Sequence, residues 1–237
     1  DTQRSKNELS KYYNCESKKI VIQPFTPLLP NINKKINHEK ILLKLGLHNK
    51  KFFFYPAQFW AHKNHKYIID AVEILNQNNN NISFVFCGSD KGNLNYIKSN
   101  IDEKGLQDKF LIYKFINDEE VITLYKNCMG LIMPSYVARS TLPMYEAFYF
   151  KIPVFYSKGV LDEELEKLVT TIDLNKPEDL TNKVRALISG ELDLNDKIKK
   201  AFDYYGINCS ENLFLDNYKK IINDYTYLSK RWKNNYR

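Results

Sequence analysis

PSYVARSTLPMYEAFYFKIPVFYS, Pro134–Ser157, is the stretch whose reading decides the fold. The apolar run before it ends at Met133 and reads as a buried strand. A polar loop follows, Pro143 opens a short helix, and a second strand begins at Ile152. A loop that feeds free backbone N–H groups into a helix N-terminus favours an anion, because the peptide dipoles present their positive ends there. Glu146 falls about one turn inside that helix. A carboxylate at this depth repels an anion but accepts hydrogen bonds from sugar hydroxyls beside it. Phosphate next to ribose fits the pairing. The same residues also fit a plain strand–loop–helix connection with a surface glutamate.

Upstream, the same alternation repeats. Lys51–Pro56 (KFFFYP) and Ile82–Cys87 are apolar runs short enough for buried strands, and Phe110–Phe115 is a third. Gly130–Met133 and Val154–Ser157 are the fourth and fifth, with a weaker sixth at Thr170–Leu174. His65–Asn76 has helical periodicity through Ile68, Ile69, Val72 and Leu75, and Leu94–Lys104 is the next helix. Asn117 and Glu120 have capping-box spacing and open a helix to about Asn127. Asn175-Lys176-Pro177-Glu178 caps another, reaching roughly Ser189. Strands alternating with helices imply right-handed crossovers, so the expected class is α/β, a Rossmann-like parallel sheet with helices on both faces. Such sheets bind ligands at the carboxyl ends of their strands. The loops after Pro56, Cys87, Phe115 and Met133 then face one crevice.

Residues 1–50 read as an approach segment: a helix at SKNELSKYY, a short strand at Lys19–Gln23 and a proline-stiffened PFTPLLPN linker. Ser210–Arg237 is a helix with Leu213, Phe214, Tyr218, Ile221, Ile222 and Tyr225 on one side and a basic end. The chain opens on Asp1 inside a helical pattern and is expected to be a piece of a longer protein.

Composition bounds the partners. Of 237 residues, 43% are hydrophobic and 27% charged, ordinary for a globular protein with a sizeable core. The net charge of +7 allows anionic partners without choosing among them. No stretch has a nucleic-acid-binding signature, so no nucleic acid is expected as a partner. The four cysteines lack CxxC spacing and are expected to be free thiols in a reducing compartment, hence a cytoplasmic location. The four histidines have no metal spacing, and no apolar run reaches the length of a membrane span.

The loop Ala57–His65 follows a strand and opens a helix, the phosphate position of a Rossmann unit, yet it lacks GxGxxG and GxxxxGK. A dinucleotide fold and a P-loop are therefore disfavoured. Lys63 offers a mobile ammonium to a diphosphate, or is a solvated lysine. Gly88 and Gly92 are expected at positive φ in a turn. Phe115 and Ile116 provide a nucleobase platform or belong to the core, and Arg139 adds a guanidinium to the loop of Ser140, Thr141 and Leu142.

FYPAQFWAHKNH, VFCGSDKGN, KFINDEEVITLYKN and the opening stretch, in this order and spacing, resemble the donor-binding half of retaining GT-B glycosyltransferases of family 4, glycosyl transferases group 1. The likeness covers nearly the whole chain, from about Asn7 to about Phe214. It implies a C-terminal Rossmann-like domain at 32–209 holding a nucleotide-diphosphate sugar as donor, with no further cofactor. Residues 1–31 then resemble the end of an N-terminal acceptor-binding domain plus linker, and 210–237 the helix that crosses back to it. By the same resemblance, the family's diphosphate-binding Arg and Lys fall on Gln58 and Lys63. Its paired glutamates fall on Ala138 and on Glu146, the ribose-binding one. Its phosphate-cradling GFGL becomes Arg139-Ser140-Thr141-Leu142.

The function so implied is sugar transfer to a saccharide or lipid-linked acceptor in bacterial surface polysaccharide synthesis. The isolated domain is expected to bind donor without turnover. A metal is not implied, since no Asp-x-Asp stands at a strand end. The basic end from Lys230 allows a peripheral contact with an anionic inner-membrane surface. Ala138 and Gln58 also admit a different class, a degenerate and non-catalytic glycosyltransferase-like binding or scaffolding module.

Overall fold

The computed structural model describes residues 2–23, 25–27, 35–76, 81–137 and 142–234. In chain order the elements begin with α1 (Gln3–Tyr13), α2 (His38–Lys44), β1 (Lys51–Pro56), α3 (His65–Asn76) and β2 (Ile82–Cys87). Next come α4 (Leu94–Glu103), β3 (Phe110–Tyr113), α5 (Asp118–Asn127), β4 (Gly130–Met133), α6 (Leu142–Tyr149) and β5 (Val154–Ser157). The chain continues through α7 (Glu163–Glu166), β6 (Thr170–Ile172), α8 (Pro177–Ser189), α9 (Asn195–Asn208) and α10 (Glu211–Asn234). Two compact units result, one of residues 28–202 and one of 1–27 with 203–237.

The larger unit is built on a six-stranded parallel sheet in the order β3-β2-β1-β4-β5-β6. Phe52, Phe53, Phe54 and Tyr55 of β1 are all buried because helices cover both faces of a parallel sheet, so neither side of the strand reaches water. β1 pairs in register with β2 from Lys51↔Ile82 to Pro56↔Cys87, and with β4 at Phe53↔Gly130. The chain works outward from β1 to the β3 edge, then returns to place β4 on the other side of β1. That reversal opens the sheet between the loops leaving β1 and β4, where ligands bind in open α/β sheets.

Helix ends follow local chemistry. The Asn117 side chain accepts from the Glu120 N–H at 3.0 Å while the Glu120 carboxylate accepts from the Asn117 N–H at 2.8 Å, the expected capping box. α8 begins at Pro177 without a side-chain cap and docks on α3: Thr181 Oγ1 donates to the Ala71 carbonyl at 2.8 Å and Tyr67 Oη to that of Lys176 at 3.2 Å. All four cysteines are free thiols, and burial pushes those of Cys128 and Cys209 up to about 12. No helix among the described residues is long and apolar enough to cross a membrane.

Three expectations change. Lys19–Gln23 makes no strand: a single 3-10 turn ends at Lys19, the next residues enter no ladder, and Val21 is exposed. A lone apolar run has nowhere to dock its backbone groups without a neighbouring edge. β3 stops at Tyr113 and β6 at Ile172, each two residues short, at the sheet's two outer edges. α2, α7 and α9 arise where no helix was expected. In the smaller unit, α1 is capped by Thr2, whose hydroxyl accepts from the Ser5 N–H at 3.1 Å, and Ser210 Oγ caps α10 through the Leu213 N–H at 3.3 Å.

Candidate functional site

At the carboxyl ends of β1 and β4 lies a crevice of about 390 Å³, lined by Pro56, Ala57, Gln58, Trp60, His62, Lys63, Met133 and Pro143. Its first wall is the loop leaving β1. Phe59, fully buried, pins that loop, and its N–H donates to the Ser89 carbonyl at 3.0 Å. Gly88 makes this approach possible. A Cβ there would lie 2.3 Å from the Ala57 carbonyl oxygen and 2.7 Å from the Gln58 Cα. Gly88 does not adopt positive φ; it is required for space, whereas Gly92, at φ +91°, supplies the turn. Asp90 closes that turn by accepting from the N–H groups of Gly92 and Leu94, which hold its carboxyl below the usual range.

A buried network then ties the β1 loop to the β4 loop. Tyr55 Oη donates to the Lys63 carbonyl at 2.9 Å. Its single proton being spent, Ser135 Oγ must donate to Tyr55 Oη across their 3.0 Å contact. Ser157 Oγ donates to the Ser135 carbonyl at 2.7 Å, and the Tyr136 N–H to the His62 carbonyl at 3.0 Å. His65 is wholly buried against Tyr55, Phe59 and Phe86, ring centroids 4.8 to 5.1 Å away. Burial first, and the Lys63 charge second, push its pKa down to about 3, so it stays neutral and serves as packing.

Lys63 ends the 3-10 turn Ala61–Lys63, and Asn64 turns the chain into α3 at φ +54°. The Lys63 ammonium is half-buried and makes no ion pair among the described residues, and burial lowers its pKa. A desolvated, unpaired cation at the mouth of a switch-point crevice is what an anionic ligand would neutralise. Gln58 is exposed beside it, its Oε1 taken by the Trp60 indole N–H at 3.0 Å, which leaves the amide NH₂ as a donor. Trp60 in turn stacks on His62 at 6.1 Å.

The second wall is α6. Leu142 is its first residue and Pro143 lines the crevice; Glu146, one turn further in, is half-buried and, like Leu142, outside the crevice lining. Tyr125 Oη on α5 donates to Glu146 Oε2 at 2.6 Å. Burial raises the Glu146 carboxyl above its ordinary pKa, and the Tyr125 hydrogen bond opposes part of that rise. A carboxyl raised by folding adds stability below its unfolded pKa, about 4.3, and loses it as pH climbs through the folded value. Glu146→Gln is therefore expected to raise the melting temperature at pH 7 and leave it unchanged below about pH 4, measured by paired thermal melts.

Of the other expected residues, Phe115 is 85% exposed and Ile116 half-buried beyond the end of β3, two strands from β1, about 10 Å across the sheet. They stand outside the crevice lining. Ala138, Arg139, Ser140 and Thr141 lie outside the described residues. Tyr55, Tyr125 and Ser135 join the site without having been expected. Each acts through a partner 8 to 80 positions away, and no local motif carries such a signal.

The comparisons with known proteins agree with this geometry. The family model "Glycosyl transferases group 1" matches residues 37–206. A glycosyltransferase from Rickettsia africae superposes with a TM-score of 0.74 at 22% identity, over 92% of this chain and 60% of that one. WaaG, a glycosyltransferase involved in lipopolysaccharide biosynthesis, gives 0.72 at 17%, over 87% and 57%. Anabaena HepE in complex with UDP and glucose gives 0.66 at 14%, over 79% and 52%. No curated protein matches the sequence at a significant level. The chain thus spans about 60% or less of these solved structures, with which it shares the GT-B fold. Its sheet, its switch-point crevice and a family match over most of its length make this chain a member of the glycosyl transferases group 1 family.

Proposed function

We propose that this chain is the donor-binding half of a retaining glycosyltransferase, taking a nucleotide-diphosphate sugar in the crevice between β1 and β4. The observation that carries the proposal is Lys63, half-buried in the lining of that crevice and in no ion pair among the described residues, with Pro143 of α6 on the opposite side. Lys63 binds the diphosphate, with Arg139 and the amides of Ser140, Thr141 and Leu142 completing the cradle. Glu146 takes the ribose, and Phe115 and Ile116 border the base. When the sugar departs, negative charge grows on the leaving diphosphate. A fixed cation there stabilises that charge more than the ground state, and catalysis is otherwise positioning. No resident cofactor is assigned.

Residues 32–209 form the donor domain in this proposal. Residues 1–31 belong to the end of an N-terminal acceptor-binding domain and linker, and 210–237 to the helix returning to it. WaaG's part in lipopolysaccharide synthesis supports a bacterial surface polysaccharide as the product, and HepE's UDP supports a nucleotide donor. The site of action would be the cytoplasmic face of the inner membrane.

Calorimetric titration with UDP- and GDP-hexoses tests the proposal, with Glu146→Ala as control. Saturable binding of one nucleotide class, weakened about tenfold by the control, is expected, the worth of one charged hydrogen bond. No binding by either class sinks it. The residues Gln58 and Ala138 favour a second outcome, donor binding without release of nucleoside diphosphate by the full-length protein, which would mark a degenerate module.

A further inference from the structure

Tyr125 is fully buried in α5, its ring stacked on Phe150 at 5.3 Å and edge-on to Phe54 at 5.3 Å. Aromatic packing alone needs no hydroxyl. Yet this hydroxyl lies 2.6 Å from Glu146 Oε2 and 3.4 Å from the carbonyl of Pro143, which lines the crevice. One phenol thus reaches both the first turn of α6 and its carboxylate. Among the described residues Glu146 makes no other hydrogen bond, so none of them takes Oε1 or the second lone pair of Oε2.

We propose that Tyr125 is a positioning residue that locks the Glu146 carboxylate in the one rotamer that presents its free lone pairs to two vicinal hydroxyls of a ribose. The proposal rests on the donor-binding reading above and adds to it the residue that sets discrimination between ribose and deoxyribose. A glutamate side chain has three rotatable bonds and loses much rotamer freedom on ordering. Holding it in place before the ligand arrives removes that cost from binding. The bond also opposes part of the rise in the Glu146 pKa that burial causes, and so favours the ionised, acceptor-only form. A site that depends on hydroxyl donors discriminates strongly against an analogue lacking them, because its buried polar group is left unpaired.

Two pairs of ligands test this, UDP against 2′,3′-dideoxy-UDP and the corresponding guanosine pair, titrated into wild type, Tyr125→Phe and Glu146→Asp. Wild type is expected to prefer the ribonucleotide by about tenfold or more, the worth of a charged hydrogen bond or two. Tyr125→Phe keeps the ring and its packing, and is expected to lower the ribo preference at least about threefold while leaving dideoxynucleotide affinity unchanged. Because both ligands meet the same folded fraction, their ratio is insensitive to any loss of stability. Glu146→Asp retracts the carboxylate from the phenol while keeping charge and hydroxyl, and should lower the ratio likewise. An unchanged ratio in either variant overturns the proposal. So does a wild type that binds both nucleotides equally, which leaves the diphosphate reading standing. A wild type that binds no nucleotide overturns both.

Discussion

Gly88→Ala is expected to destabilise the larger unit by about 2–3 kcal/mol, the upper range for forcing extra atoms into a packed site. The added methyl meets the Ala57 carbonyl at 2.3 Å and the Gln58 Cα at 2.7 Å, and both obstacles are backbone. A side chain can turn aside; these atoms move only if the β1 loop moves. The loop is held by the Phe59 N–H bond to Ser89 and by the burial of Phe59, so the strain spreads into the crevice wall. For a chain of this size the melting temperature should fall by about 5–10 °C. Nucleotide affinity should fall in the molecules that remain folded. Gly92→Ala is the control: its Cβ meets nothing within 4 Å, and the cost is the positive φ alone, about 1 kcal/mol. Thermal melts of the two variants separate space from backbone strain; equal losses would refute the close-approach account of Gly88.

The alternation of apolar runs with helical periods sufficed to place every sheet strand, because burial on both faces leaves a parallel strand few polar positions, such as Ser83 and Ser157, to confuse the pattern. The outer ends of β3 and β6 were misjudged for the same reason. An edge strand has one neighbour, and pairing stops where that neighbour stops, as Tyr113 opposite Cys87 shows. Lys19–Gln23 looked like a strand by composition, but a strand exists by pairing, which composition does not encode. In the site, Gln58 and Lys63, expected by counting from the end of β1, do line the crevice, whereas Glu146, expected by counting from the end of β4, stands outside its lining. Tyr125 was not legible. It contributes from the core face of a neighbouring helix, where its spacing is that of any packed aromatic. Gly88 was legible as a glycine with a purpose, though the purpose is the closeness of two loops rather than a turn.

Lys63→Met is expected to weaken binding of a nucleoside diphosphate by about 2 kcal/mol, roughly thirtyfold, while uridine or guanosine binding stays within about twofold of wild type. The magnitude follows from burial. An exposed lysine facing phosphate contributes little beyond what water and salt already supply. The Lys63 ammonium is half-desolvated, its carbonyl is fixed by Tyr55, and no carboxylate among the described residues shares its charge. Its attraction for a diphosphate is therefore less screened, and losing it leaves the anion to the rest of the proposed cradle, Arg139 and the amides entering α6. The same variant should melt no lower than wild type, since methionine fills the stem's volume and removes a charge that folding disfavours. Binding is expected to lose part of its salt dependence as well, one cation having left the contact. Titrations of UDP, GDP and the bare nucleosides at two ionic strengths read the binding effects, and thermal melts read the stability. Equal losses for diphosphate and nucleoside would place Lys63 in the packing of the loop rather than against phosphate. A gain in thermal stability accompanied by selective loss of diphosphate would identify it as a charge held at the expense of the fold for a ligand's sake.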